Sequence, residues 1–121
     1  MLWPESGVRI WLYAQPTDLR KSFDGLSALV RRRLGEDPTG GALFVFINRR
    51  RTQMKVLYFE PGGYCVWSKR LEVGRFHFPP GAGDKQALSA SDLRLIIEGI
   101  DVGTVRRFKR HRRGHEGTCT V

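Results

Sequence analysis

The sequence predicts a small α+β domain, with an antiparallel β-sheet of about four to five strands in meander order packed by two helices. Three observations carry that expectation. The segments Ala42–Ile47, Met54–Phe59 and Tyr64–Leu71 are short, β-branched and aromatic, and only short polar or Gly/Pro links join them. Two other stretches repeat apolar residues at helical spacing. A length of 121 residues with 40% hydrophobic content suits one domain with its own core.

In chain order, Arg9-Ile10-Trp11-Leu12-Tyr13 reads as a strand. Gln15-Pro16-Thr17-Asp18 then supplies a stop, with Thr17 or Asp18 placed to cap a helix. Leu19, Phe23, Leu26, Val30 and Leu34 form one apolar stripe, predicting a helix of about four to five turns. Gly25 weakens it by about 1 kcal/mol relative to Ala. Gly35 ends it, after Arg31, Arg32 and Arg33 have filled a last turn that favours cations. Residues 36–41 form a loop. The three strand segments follow, the first pair joined by residues 48–53 and the second by Glu60-Pro61-Gly62-Gly63, where Pro-Gly signals a type II turn. Arg75–Phe78 reads as a further short strand stopped by Pro79-Pro80, and Pro79–Lys85 as irregular chain. Ser89 and Asp92 form a capping box, with Leu88 against Leu93 as its staple, and Leu93, Ile96, Ile97 and Ile100 share one face of the helix that follows. The domain is thus expected over residues 1–103. Residues 104–121, almost without apolar side chains, form an expected mobile basic tail.

Composition narrows the function. Two cysteines make no disulfide framework, the longest purely apolar run is residues 42–47, and Met1–Glu5 lacks a leader pattern. The expectation is a cytoplasmic bacterial protein without membrane contact, associated with the nucleoid. The formal charge is +9, and 16 of the 21 basic residues are Arg. Arg presents a planar fork of donors suited to phosphate, so the bias leans toward a polyanion, although a GC-rich genome also enriches Arg.

Catalytic constellations are missing. No glycine-rich phosphate loop carries its Lys-Ser/Thr, no Asp/Glu-x-Lys triplet occurs, and Ser22 and Ser27 have no His nearby in sequence. Capping and solvation account for most of the acids Asp18, Asp24, Asp92, Glu98 and Asp101. His111, His115 and Cys119 have the spacing of zinc ligands, with Cys65 as a fourth, but Gly114 and Gly117 oppose a helix there. His77, between Phe76 and Phe78, reads as a partly buried strand residue. No enzyme activity, metal or cofactor is expected. An RNA-recognition sheet is a poor fit, because its motif and strand order fail after Gly41–Phe46.

What remains is recognition chemistry. Asn48-Arg49-Arg50-Arg51 at a hairpin tip lets guanidiniums diverge toward phosphates or enter a groove. Lys55, Lys69, Arg70 and Arg75 lie on the neighbouring strands, and Arg20, Lys21, Arg31, Arg32 and Arg33 lie off the apolar stripe of the first helix and extend the patch. These residues are the expected DNA contacts. Arg106, Arg107, Lys109, Arg110, Arg112 and Arg113 add a cationic arm.

Specific strings go further. Thr17-Asp18-Leu19-Arg20-Lys21-Ser22-Phe23-Asp24-Gly25-Leu26 closely resembles the hallmark of the TnpB (Orf2-like) accessory proteins of the insertion-sequence-66 family of bacterial transposable elements. So do Phe44-Val45-Phe46 with Asn48–Arg51, Leu57-Tyr58 through Gly63, and Trp67-Ser68-Lys69-Arg70-Leu71-Glu72-Val73-Gly74-Arg75-Phe76. The late helix ending Glu98-Gly99-Ile100-Asp101 completes a resemblance over residues 7–101. It implies a small protein that assists a separate DDE-type transposase of the same element and brings no established catalytic residues. Three readings stand: a DNA-binding accessory module, a subunit docking on the transposase through Trp11, Trp67 or the last helix, and, against the missing catalytic constellations, a metal-dependent nuclease.

Overall fold

Leu43–Ile47 is five consecutive buried apolar residues, the pattern of a strand covered on both faces. In the computed structural model, which describes residues 4, 7–78 and 83–100, this strand is the middle of a five-stranded sheet. The strands are β1 (Ile10–Tyr13), β2 (Leu43–Ile47), β3 (Gln53–Glu60), β4 (Gly63–Arg70) and β5 (Lys85–Leu88), in the order β4-β3-β2-β1-β5. The helices are α1 (Phe23–Leu29), continued by a wider π turn at Val30–Leu34, and α2 (Ala90–Ile97).

Alternation divides the core into two layers. Ile10, Leu12, Leu43, Val45, Ile47, Met54 and Val56 face Leu93 and Ile96 of α2, with Phe76 completing that side. Tyr13, Phe44, Phe46 and Leu57 face Leu19, Leu26, Val30 and Leu34. The two helices therefore cover opposite faces, and the sheet is buried between them.

The expected meander holds for β2–β3–β4, which pair antiparallel. β1 and β2, however, are parallel, so the sheet is mixed. The reason is the connection: the segment from 14 to 42 includes a helix that crosses one face and returns the chain to the end where β1 began. The first helix also starts later than its apolar stripe suggested. Asp18 Oδ1 accepts the backbone N–H of Arg20 at 3.0 Å and Lys21 N–H donates to Asp18 O at 3.2 Å, which closes a turn ahead of the helix. Ser22 is the N-cap, without a side-chain cap bond, and Phe23 is 45% exposed rather than part of the stripe. Gly35, at φ +64, ends the π turn as read.

Two further differences lie after β4. Arg75–Phe78 is not a strand: Phe76 is fully buried in the α2-side core and its N–H donates to Arg51 O at 2.7 Å. The fifth strand is Lys85–Leu88, which pairs antiparallel with β1. The capping box forms as read, since Asp92 N–H donates to Ser89 Oγ at 3.0 Å and Ser89 N–H to Asp92 Oδ2 at 3.4 Å. Leu88 and Leu93, the proposed staple, share one buried cluster. No helix among the described residues is long and apolar enough to cross a membrane. Pro79–Ala82, Asp101 and the basic tail lie outside the described residues.

Candidate nucleic-acid interface

The hairpin between β2 and β3 is built around Asn48. Its Oδ1 accepts the backbone N–H groups of Thr52 at 2.9 Å and Gln53 at 3.0 Å, while its own N–H donates to Gln53 O at 3.1 Å. Arg51 N–H donates to Asn48 O at 3.0 Å, closing a turn with Arg49 and Arg50 at its two central positions. Arg51 then takes φ +59, a left-handed conformation that non-glycine residues adopt at a cost.

A strap formed by residues 71–78 holds this turn from outside. Leu71 N–H donates to Thr52 O at 2.8 Å and Phe76 N–H to Arg51 O. The Arg51 guanidinium lies 4.7 Å from the centre of the Phe78 ring, a cation–π contact. Arg51 is thus a positioning residue. Arg49 and Arg50 are exposed and make no ion pair with a described residue.

These two arginines form a ridge between two open clefts. One cleft, of about 590 Å³, lies toward the loop before α1 and includes Thr17, Asp18, Arg20, Asn48 and Gln53. A backbone bond from Thr17 N–H to Ile47 O at 3.0 Å sets that loop against the end of β2. The other cleft, of about 490 Å³, lies toward the strap and includes Thr52, Arg75 and His77.

The expected contact residues divide into three groups. Arg49, Arg50, Arg51 and Arg75 meet at one rim of the sheet, and Arg70, paired with Gln53 across the β3–β4 ladder, ends at the same rim. Lys55 is on the α1 side, where its Nζ donates to Lys21 O at 3.4 Å, bringing Lys21 close to it. A second group is present but engaged. Arg20 is hydrogen-bonded to Asp18 through Nε and through Nη2 at 2.8 Å, and its guanidinium holds the Asp18 carboxyl well below the usual carboxylate range. Arg70 pairs with Glu72 at 3.1 Å, both side chains exposed, so the pair is weak and easily exchanged. Lys69 points to the other face of the sheet and donates from Nζ to Ile97 O at 3.0 Å, where it satisfies the C-terminal end of α2. The third group, Arg31, Arg32 and Arg33, lies apart. They end the helix that leads into the start of β2, whereas Arg49–Arg51 follow its end, so they do not extend the patch.

The sequence places Asn48 at the hairpin tip, as a turn residue, but gives no hint that its side chain ties the turn, and it assigns no part in the site to Phe76, His77 or Phe78. The role of Phe76 depends on a long-range contact that no local pattern carries. Other titratable groups lie away from the ridge. Partial burial pushes the Cys65 thiol up, reinforced by its bond to Glu60 Oε1 at 3.4 Å, and burial likewise raises Tyr58. Among the described residues no group of three His, Cys, Asp or Glu side chains could hold a metal ion; His111, His115 and Cys119 lie outside them.

Comparison with known proteins gives a consistent family. The family model described as "IS66 Orf2 like protein" matches residues 8–107. Two proteins of Sinorhizobium fredii (strain NBRC 101917 / NGR234) are similar along most of their length. "Uncharacterized protein y4jC" is 36% identical over 107 residues, covering 88% of this chain and 92% of that protein. "Uncharacterized protein y4hO" is 37% identical over 101 residues, covering 84% and 88%. No solved structure matches the chain. With a family match over residues 8–107, which takes in the arginine ridge and both of its flanking clefts, the chain belongs to the IS66 Orf2-like family.

Proposed function

We propose that this protein is a non-catalytic accessory factor in DNA transposition that grips DNA through its phosphate backbone at the Arg49–Arg50 ridge, and so assists a separate transposase. Family membership implies the accessory role in transposition. The observation that carries the DNA contact is the state of those two guanidiniums: exposed, unpaired with any described residue, and mounted on a turn tied down by six hydrogen bonds from Asn48, Arg51 and the strap. Arginine forks match phosphate bidentately, and a backbone already ordered loses little entropy when they engage. Arg75 and Lys21 add charge at the same end of the sheet. The competing subunit-docking reading asks for exposed apolar surface at Trp11, Trp67 or the last helix; both tryptophans are half-buried and packed on the two core layers, and only Ile100, just past α2, stands exposed among these.

The test is a gel shift on DNA carrying the ends of the element, comparing the wild type with Arg49→Ala/Arg50→Ala. A loss of at least tenfold in affinity with unchanged circular dichroism supports the reading. Equal affinity for both proteins contradicts it, and capture of the transposase by both proteins without DNA favours the docking role.

A further inference from the structure

The two clefts beside the ridge differ in chemistry. The one toward α1 contains the Asp18 carboxylate and a mixture of donors and acceptors. The one toward the strap is lined by Arg49, Arg50, Arg51, Thr52, Arg75 and His77, with no acidic side chain. Its second wall follows from the packing of Phe76: with that ring fully buried, the side chains on either side of it, Arg75 and His77, both reach the cleft. Two backbone bonds, Leu71 to Thr52 at 2.8 Å and Phe76 to Arg51 at 2.7 Å, hold the two walls at a fixed separation.

Cations converging from two segments on a concavity suit a compact anion reached from more than one side. A phosphodiester inside a duplex offers one charge and two free oxygens on a convex surface. A terminal phosphate monoester carries about −1.5 to −2 charge and three acceptor oxygens, and it projects from the strand. We propose that this cleft holds the terminal phosphate of a DNA strand, so that the protein prefers cut or nicked DNA to continuous duplex. The inference rests on the DNA-binding reading above and adds to it a preference for strand ends, with Arg75 and His77 supplying the donors that distinguish a monoester.

The experiment is fluorescence anisotropy of the full chain on one short duplex in three forms: 5′-phosphate, 3′-phosphate and hydroxyl at both termini. A phosphorylated end is expected to bind about tenfold tighter than the hydroxyl form. His77→Ala should reduce that ratio below about threefold while changing affinity for the hydroxyl form by less than about threefold, whereas Arg75→Gln should weaken all three forms and weaken the phosphorylated ends most. Equal, salt-sensitive binding of all three duplexes overturns the end preference and leaves the DNA-binding reading standing. Failure to bind any duplex overturns both. Inorganic phosphate displacing the duplex as effectively as a phosphorylated oligonucleotide does would make this a free-anion site and overturn the assignment to strand ends.

Discussion

Replacing Asn48 by Ala removes no charge from the ridge, yet it should weaken both stability and DNA binding. The side-chain Oδ1 accepts two backbone N–H groups, at 2.9 and 3.0 Å, in a half-buried turn. Each such bond contributes about 1 kcal/mol net, so losing both costs about 2 kcal/mol if the amides stay dry and nearer 1 if water reaches them. The 3.4 Å contact from Nδ2 to Thr52 Oγ1 is long and adds little. For a domain of this size the melting temperature should fall by about 5–15 °C. Asn48→Asp is the matched control. It keeps an acceptor of the same shape, so the fold should melt within a few degrees of wild type, but it sets a carboxylate beside Arg49 and Arg50 and should weaken DNA binding. Thermal melts by circular dichroism with parallel gel shifts read both variants. An Asn48→Ala protein that melts like the wild type would refute the claim that this side chain holds the ridge in place, and an Asn48→Asp protein that binds DNA normally would refute the ridge as the contact.

Other consequences follow from the same geometry. Asp18 is held below the usual carboxylate range by Arg20, so its contact is intact above about pH 4 and is lost only as pH falls through the lowered value. Asp18→Asn should release Arg20 and steepen the dependence of log K on log salt by about 0.9, read by salt titration; weaker binding would show that Asp18 positions Arg20 productively. Phe76→Ala should cost about 3–5 kcal/mol in urea denaturation and detach the strap, because the ring is fully buried; a loss under about 1 kcal/mol would contradict its anchoring role. Cys65, pushed up by burial and by Glu60, should react slowly with a thiol reagent at pH 8 and faster after Glu60→Gln, followed spectrophotometrically; an unchanged rate would remove Glu60 as a cause.

The elements legible in the sequence are those whose signals are local. The apolar run Ala42–Ile47 announced a strand, short links dictated antiparallel pairing of β2, β3 and β4, and Ser89 with Asp92 marked the start of α2. What escaped depends on distant partners. The four residues Lys85–Leu88 carry little strand pattern and become β5 only by pairing with β1. The Phe-His-Phe alternation at 76–78 suits a strand equally well as a strap with one buried ring. At the ridge, the arginine run itself was plain, but sequence neighbourhood misled about its extent. Arg31–Arg33 end a helix at the opposite end of the sheet, Lys69 is occupied at the C-terminal end of α2, and Arg20 is bound by the residue that also closes the turn before α1.

The most direct test of the central claim is the salt dependence of DNA binding by the wild-type chain and by Arg49→Ala/Arg50→Ala. If Arg49, Arg50, Arg75 and Lys21 each neutralise one phosphate, log K should fall with log salt at a slope near −3.6, and the double variant should lose about half of it. A wild-type slope near zero, or a variant whose slope equals that of the wild type, would contradict the account.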